Sequence, residues 1–261
     1  MEPRTIEPFL GKERQTTNEK IFLEAGNVDD LTLQRNSPFS YTCNQCSRCC
    51  YDKRIQVNPY EVARLARNQG VSTTDLIGTC LEPGKPYLNN QPDGACVLLT
   101  DQRCGVHADR PLVCRLYPLG QTLTGEGQES FRYATPHPET KGVYGHNETV
   151  EDFLAAQGVA PFLFARDRFM SVVYRLLDVL ARDVEGNEEA FATTKQTFSD
   201  EVSIQQALGE WLDMDLVIAR HCEAHHLNEP LDLDERLELH LEVMEDWITH
   251  HSRGDNHEKQ S

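Results

Sequence analysis

The sequence lacks a long apolar segment and has few basic residues. No run approaches the roughly 18 to 20 apolar residues that span a bilayer, and the start, MEPRTIEPFLGKERQ, has no apolar core of the signal-peptide kind. Only 25 Lys and Arg stand against 42 Asp and Glu, for a net charge of -17 that repels phosphate backbones and anionic lipids. We therefore expect a soluble, cytoplasmic chain that binds no nucleic acid and no membrane, and whose partner is another protein.

Cysteine is unevenly distributed along the chain. Eight of the nine cysteines lie between Cys43 and Cys114, while Cys222 stands alone. In a reducing compartment such a cluster is more typical of a metal or redox site than of a disulfide framework. The odd total also argues against complete disulfide pairing.

The remaining pattern divides the chain into four parts. We expect a loosely structured arm over residues 1–40, a cysteine-cluster metal-binding module over 41–148, a helical region over 149–251 and a disordered tail over 252–261. The fold class predicted is mainly α with irregular metal-stapled loops, α+β at most. A C-terminal helical bundle would follow the cysteine-rich module.

Several helix ends carry local signals. Asn58 can cap a helix that Pro59 begins and Gly70 ends. Ser72 with Asp75 resembles a capping box for a second, short helix, and Thr149 can cap a third. Longer helices are indicated by apolar residues three and four positions apart in FLFARDRFMSVVYRLLDVLARDV, EVSIQQALGEWLDMDLVIARHCEAHH and LDERLELHLEVMEDWITHH.

The stretch CNQCSRCC contains four of the cysteines, Cys43, Cys46, Cys49 and Cys50. The Cys-x2-Cys spacing lets thiolates converge on one metal because the turn aims its N–H groups at the sulfurs. Adjacent residues usually point their side chains apart, so the doublet predicts either a cluster or two sites. The spacing matches neither the ferredoxin run nor a zinc ribbon. Metal binding is the first interpretation, with buried structural thiols and a thiol redox site as alternatives.

Together with CNQCSRCC, the stretch GACVLLTDQRCGVHADRPLVCRLYPLG resembles the YkgJ-type cysteine-cluster family, whose CxxCxxCC domain is described as zinc- or iron-chelating. RPLVCRLYP is similar to that family's RPxxCRxFP signature. The resemblance spans roughly residues 40–160. One departure is TPHPETKG, where His137 stands in the place of a further cysteine, and imidazole can replace thiolate on zinc or iron.

The resemblance implies eight metal ligands, enough for two four-coordinate sites or for one cluster and one ion. As a candidate metal ligand, Cys80 ranks below these eight residues. The implied ligands are Cys43, Cys46, Cys49, Cys50, Cys96, Cys104, Cys114 and His137.

The function implied is that of a metal-binding protein, with an iron–sulfur cluster of the 4Fe-4S type as the first cofactor and zinc as the alternative. An iron centre would suit a redox or maturation role. A zinc-stapled interaction module without catalysis is the second hypothesis. A metal-dependent protein-modifying enzyme, such as the lysine methylases among the family's relatives, is the third. LTGEGQES lacks the strand and helix that a glycine-rich cofactor loop requires.

Overall fold

The structure is a computed structural model that describes residues 32–123, 128–182 and 210–254. Most of the predicted N-terminal arm and the tail from residue 255 therefore lie outside the described residues. No helix within these ranges is both long enough and apolar enough to cross a membrane.

Seven α-helices form within the described residues. The longest two are α5 and α7, at the carboxyl-terminal end of the chain. Their bounds are Pro59–Gln69 (α1), Thr73–Cys80 (α2), Leu112–Leu116 (α3), Val150–Ala156 (α4), Ala160–Arg182 (α5), Met214–His225 (α6) and Leu233–Gly254 (α7).

The capping signals are confirmed. Asn58 and Glu61 form a capping box at the start of α1, and Gly70 ends that helix at φ 68, a left-handed conformation that glycine adopts without strain. The Ser72 side chain accepts the Asp75 N–H at the start of α2. Thr149 caps α4. Each of these signals lies within one helical turn of the residue it serves, so the local sequence is sufficient to predict it.

The strands make three antiparallel pairs: β1 with β6, β2 with β3 and β4 with β5. The fold is therefore mixed α+β, which the sequence prediction of a mainly α fold allowed only as its limit. The pairing residues carry Gly, Thr, Ser and Asn and show little alternation, which is why the sequence did not predict them. The strands are Pro38–Thr42 (β1), Leu99–Thr100 (β2), Arg103–Cys104 (β3), Leu119–Leu123 (β4), Glu129–Tyr133 (β5) and Val143–Thr149 (β6).

The chain folds into two compact units, each built from separated segments. Unit 1 contains the described parts of residues 1–51, 99–104 and 113–159. Its core is aromatic: Phe39 on β1 is fully buried and meets the edge of Phe153 on α4, with ring centroids 5.0 Å apart. Phe131 on β5 is also fully buried.

Unit 2 contains the described parts of residues 52–98, 105–112 and 160–261. Its core is helical, because α1, α2, α5, α6 and α7 contribute most of its buried apolar side chains. Tyr60 on α1 packs against the edge of Phe162 on α5, with centroids 5.8 Å apart. Val62, Leu65 and Ala66 are buried on one face of α1. The boundaries predicted at residues 41 and 149 stay a prediction.

Candidate metal centre

The first four cysteines lie in a curled loop that follows β1 and ends in the short 3-10 helix Arg48–Cys50. Gln45 and Ser47 adopt φ values of 50 and 60, which turn the backbone back on itself. The Ser47 hydroxyl is nearly buried and donates to the Gln102 carbonyl at 2.7 Å. That bond anchors the loop to the β2–β3 turn.

Backbone N–H groups point at two sulfurs of this loop. The Gln45 N–H donates to Cys43 Sγ and the Lys141 N–H donates to Cys46 Sγ, both at 3.4 Å. Hydrogen bonds of this kind stabilise negative charge on sulfur and occur around thiolates that bind metal. The Gln45 N–H belongs to the Cys43–Cys46 turn, as the spacing predicted, whereas the Lys141 N–H comes from a remote segment that the spacing did not predict.

A second group of thiols surrounds Cys50. Its thiol is hydrogen-bonded to Cys49, and the thiols of Cys104 and Cys114 are its next electrostatic neighbours. The pKa of Cys50 is raised by the hydrogen bond with Cys49, then by burial, then by the negative charge of the nearby thiols. β3 supplies Cys104 and α3 supplies Cys114. Three segments of the chain thus contribute thiols whose charge acts on Cys50.

The expectation that Cys49 and Cys50 point apart is wrong. Side chains alternate sides in an extended strand, but these residues belong to a 3-10 helix, in which three residues complete one turn. Consecutive side chains there are separated by about a third of a turn. Their two thiols can consequently meet.

Three tyrosines form a wall beside the cysteine loop. Tyr41 and Tyr144 lie opposite each other on β1 and β6 with ring centroids 4.9 Å apart, and Tyr117 meets the edge of Tyr41 at 6.1 Å. Burial raises the pKa of all three phenols, and nearby thiols add to the effect. The thiols concerned are Cys43, Cys46 and Cys49. The sequence gave no signal for Tyr144, whose partner strand β1 is remote in the chain.

The segment 137–142 is attached to the cysteine loop by polar contacts. Besides the Lys141 N–H bond to sulfur, the Asn44 side chain donates to the Lys141 carbonyl at 2.7 Å. Arg48 and Glu139 form an ion pair at 2.7 Å. These contacts were not predicted, because Asn44 and Lys141 look like ordinary surface residues in the sequence.

His137 lies at the start of this segment and is exposed. Its Nδ1 accepts the Glu139 N–H at 3.0 Å. In that arrangement a neutral ring carries its proton on Nε2, so metal binding requires the Nδ1 hydrogen bond to break or the tautomer to change. His137 is therefore near the loop but not yet arranged as a ligand, and its role stays a prediction.

The remaining predicted cysteine ligand, Cys96, lies in unit 2, and so do Cys80 and Cys222. Cys96 pairs with Asn90 in an isolated bridge, and its carbonyl accepts the Gln91 side chain at 3.1 Å. Cys80 ends α2 and contacts the Thr79 hydroxyl at 3.5 Å. Cys222 is buried in α6. The membership of Cys96 in the ligand set stays a prediction.

All nine cysteines are free thiols, and the six of unit 1 are partly or fully exposed. Over the described ranges, no three His, Cys, Asp or Glu side chains are close enough to form a ready-made ion site. The thiols are neighbours rather than a closed coordination sphere. Their chemistry nevertheless fits zinc or iron, both of which favour clustered thiolates.

The comparison with family models gives one match. Residues 42–137 match the CxxCxxCC model, described as a "Putative zinc- or iron-chelating domain". The matched segment begins just before Cys43, ends at His137 and so includes every ligand that the sequence predicted. Searches of curated proteins and of solved structures found no match.

Proposed function

Because residues 42–137 are a CxxCxxCC domain, we propose that the chain is a metal-binding protein whose thiols hold an iron–sulfur or iron centre. Metal binding follows from the description of the domain. The choice of iron is the finer part of the proposal, and it is argued from the thiols of unit 1.

The observation that supports iron is the thiol group around Cys50. Cys49, Cys104 and Cys114 are its neighbours, which gives four soft donors, the number that a [2Fe–2S] or [4Fe–4S] cluster takes. Two thiols as close as those of Cys49 and Cys50 suit a cluster, in which neighbouring irons lie side by side. Each thiolate can then bind a different iron.

The protein's own contribution is electrostatic. N–H donors at Cys43 and Cys46 stabilise thiolate charge, and such bonds raise the potential of a cluster. The tyrosine wall of Tyr41, Tyr117 and Tyr144 limits water on one side. An iron centre in this position would supply one-electron transfer, and the proposed role is redox or maturation chemistry. With a net charge of -17, the chain suits a protein partner with a basic surface.

Zinc is the second candidate, and the Cys43–Cys46 turn favours it. Left-handed residues between the cysteines and N–H groups aimed at sulfur are also the features of a zinc-binding turn. The metal would then provide folding free energy and no chemistry. A metal-dependent modification of protein lysines is a third role open to either metal.

The test is metal analysis of protein purified without oxygen. We expect visible absorption at about 400 nm together with iron and acid-labile sulfide. A colourless protein carrying zinc would contradict the iron centre and support the stapled module. A protein that binds neither metal, even after reconstitution, would contradict metal binding altogether.

Single substitutions identify the ligands. We expect Cys49→Ser and Cys114→Ser to lower metal content several-fold, because each removes one soft donor from the group around Cys50. Cys222→Ala is the matched control, since Cys222 is buried in α6. Equal metal content in all three variants would show that this thiol group does not bind the metal.

A further inference from the structure

The feature that the proposed function leaves unexplained is the contact between two consecutive thiols. Cys49 and Cys50 are hydrogen-bonded to each other in the 3-10 helix Arg48–Cys50, and both are half-exposed. A site that needed only sulfur donors for a metal could take them from separate segments of the chain, as it takes Cys104 and Cys114. Two adjacent thiols that touch can also react with each other.

We propose that Cys49 and Cys50 form a thiol-oxidation site, at which a hydroperoxide converts the pair to a disulfide and thereby releases the bound metal. The release step rests on the proposed metal-binding function. The disulfide step depends only on the positions of the two thiols.

The reaction is balanced with hydrogen peroxide as the oxidant. The Cys49 sulfur, as the thiolate, attacks a peroxide oxygen, the O–O bond breaks, and a sulfenic acid and hydroxide form. The neighbouring thiol then attacks that sulfur, the S–S bond forms, and its proton leaves with the hydroxyl group as water. Two thiols lose two electrons in total, and the peroxide becomes two molecules of water.

The product is expected to be readily reversible. Consecutive Cα atoms are about 3.8 Å apart across a trans peptide, whereas disulfide-bonded residues usually have Cα atoms about 4.4 to 6.8 Å apart. A disulfide between neighbours is therefore strained, and strained disulfides are easily reduced. Reduction by a cellular dithiol would restore the pair.

Oxidation has a direct effect on the metal. A disulfide sulfur carries no thiolate charge, so the group around Cys50 keeps only Cys104 and Cys114 as donors. Two thiolates are fewer than zinc or an iron–sulfur cluster takes in a closed site. Loss of the metal follows.

The experiment uses the full chain loaded with zinc, because zinc is not itself oxidised. Metal content is measured first; hydrogen peroxide is then added, and zinc release, intact mass and disulfide-linked peptides are followed together. We expect zinc release to parallel a mass loss of about 2 Da, a disulfide mapped to Cys49 and Cys50, and recovery of the original mass with dithiothreitol.

Two variants sharpen the result. Cys50→Ser should abolish this disulfide and the peroxide-dependent mass loss of about 2 Da, whereas Cys80→Ser, at another half-exposed cysteine, should form the disulfide as the unmodified chain does. If Cys50→Ser binds no zinc, the disulfide mapping of the unmodified chain alone decides the inference. Zinc-loaded protein in which Cys49 and Cys50 stay reduced, or form disulfides only with other cysteines, would overturn it. Protein that never binds zinc or iron would instead contradict the proposed function.

Discussion

His240 is a polar residue at a core position of unit 2. It lies on α7 in the buried stripe of Leu237, Leu241, Met244 and Ile248, and it is itself fully buried. Its ring meets the edge of Phe169 with centroids 5.6 Å apart, and neither ring nitrogen makes a hydrogen bond of normal geometry, although the Trp211 backbone lies nearby. Burial lowers its pKa to about 4 from the ordinary 6.5. Asp213 and the Trp211 backbone favour the charged ring, and Arg236 opposes it.

This residue predicts that unit 2 loses stability in mild acid. Below pH 6.5 the unfolded chain takes up a proton at His240, whereas the His240 ring of the folded chain stays neutral down to about pH 4. The free energy of unfolding therefore decreases as the pH is lowered from 6.5 to about 4. Between about pH 7.5 and pH 5 the loss is about 2 kcal/mol. In denaturant titrations at the two pH values, His240→Leu should reduce the difference by about that amount.

The control is His225→Leu on α6, which removes a histidine that is exposed to solvent. It should leave the pH dependence as it is in the unmodified chain. If His240→Leu gives the same pH dependence as this control, protonation of His240 does not limit stability in mild acid.

Among the elements, the segment 137–142 depends most on tertiary contacts. It has no helix or strand of its own, and its contacts go to Asn44, Cys46 and Arg48 of the cysteine loop. Tyr117 adds another contact, because its hydroxyl is hydrogen-bonded to the His137 backbone. The position of His137 therefore depends on a phenol from another part of unit 1.

Removal of that phenol oxygen should loosen the segment. In Tyr117→Phe the ring stays against Tyr41, but the bond to the His137 backbone is lost. We expect amide hydrogen exchange in residues 137–142 to become several-fold faster. Tyr133→Phe is the matched control, because Tyr133 packs on Phe39 instead. Equal exchange in both variants would show that the Tyr117 hydroxyl does not hold the segment.

At the scale of the whole molecule, the two units differ in what stabilises them. Unit 2 has a helical core with several fully buried large side chains, among them Leu65, Leu76, Met214 and Ile218. The aromatic core of unit 1 is smaller. The six cysteines of unit 1, four of which lie in the cysteine loop, form no disulfide. A bound metal would therefore contribute most to the stability of unit 1.

Metal removal should consequently act on one unit only. We expect chelation with EDTA under reducing conditions to make unit 1 sensitive to protease, with cleavage in residues 43–50 and 137–142. Far-UV circular dichroism should change little, because most of the helix belongs to unit 2. Limited proteolysis with peptide mapping measures the first effect. Equal protection before and after chelation would show that metal does not stabilise unit 1.

The sequence by itself determined the features that depend on nearby residues. The caps at Asn58, Ser72 and Thr149 fixed the starts of α1, α2 and α4, because a cap bonds within the turn that it begins. The CxxCxxCC spacing predicted the resemblance that the match of residues 42–137 to the CxxCxxCC domain model supports. The cysteine loop could be recognised from its own residues, without knowledge of the segments that pack against it.

Only the tertiary structure decided which residues from remote segments meet. β1 pairs with β6 across about a hundred residues, and that pairing creates the wall of Tyr41 and Tyr144. The 3-10 helix brings Cys49 and Cys50 together, although the sequence had predicted that their side chains point apart. The fold then adds Cys104 and Cys114 beside them. Such contacts depend on loop closure and on the burial of other surfaces, neither of which is encoded in a short window of sequence.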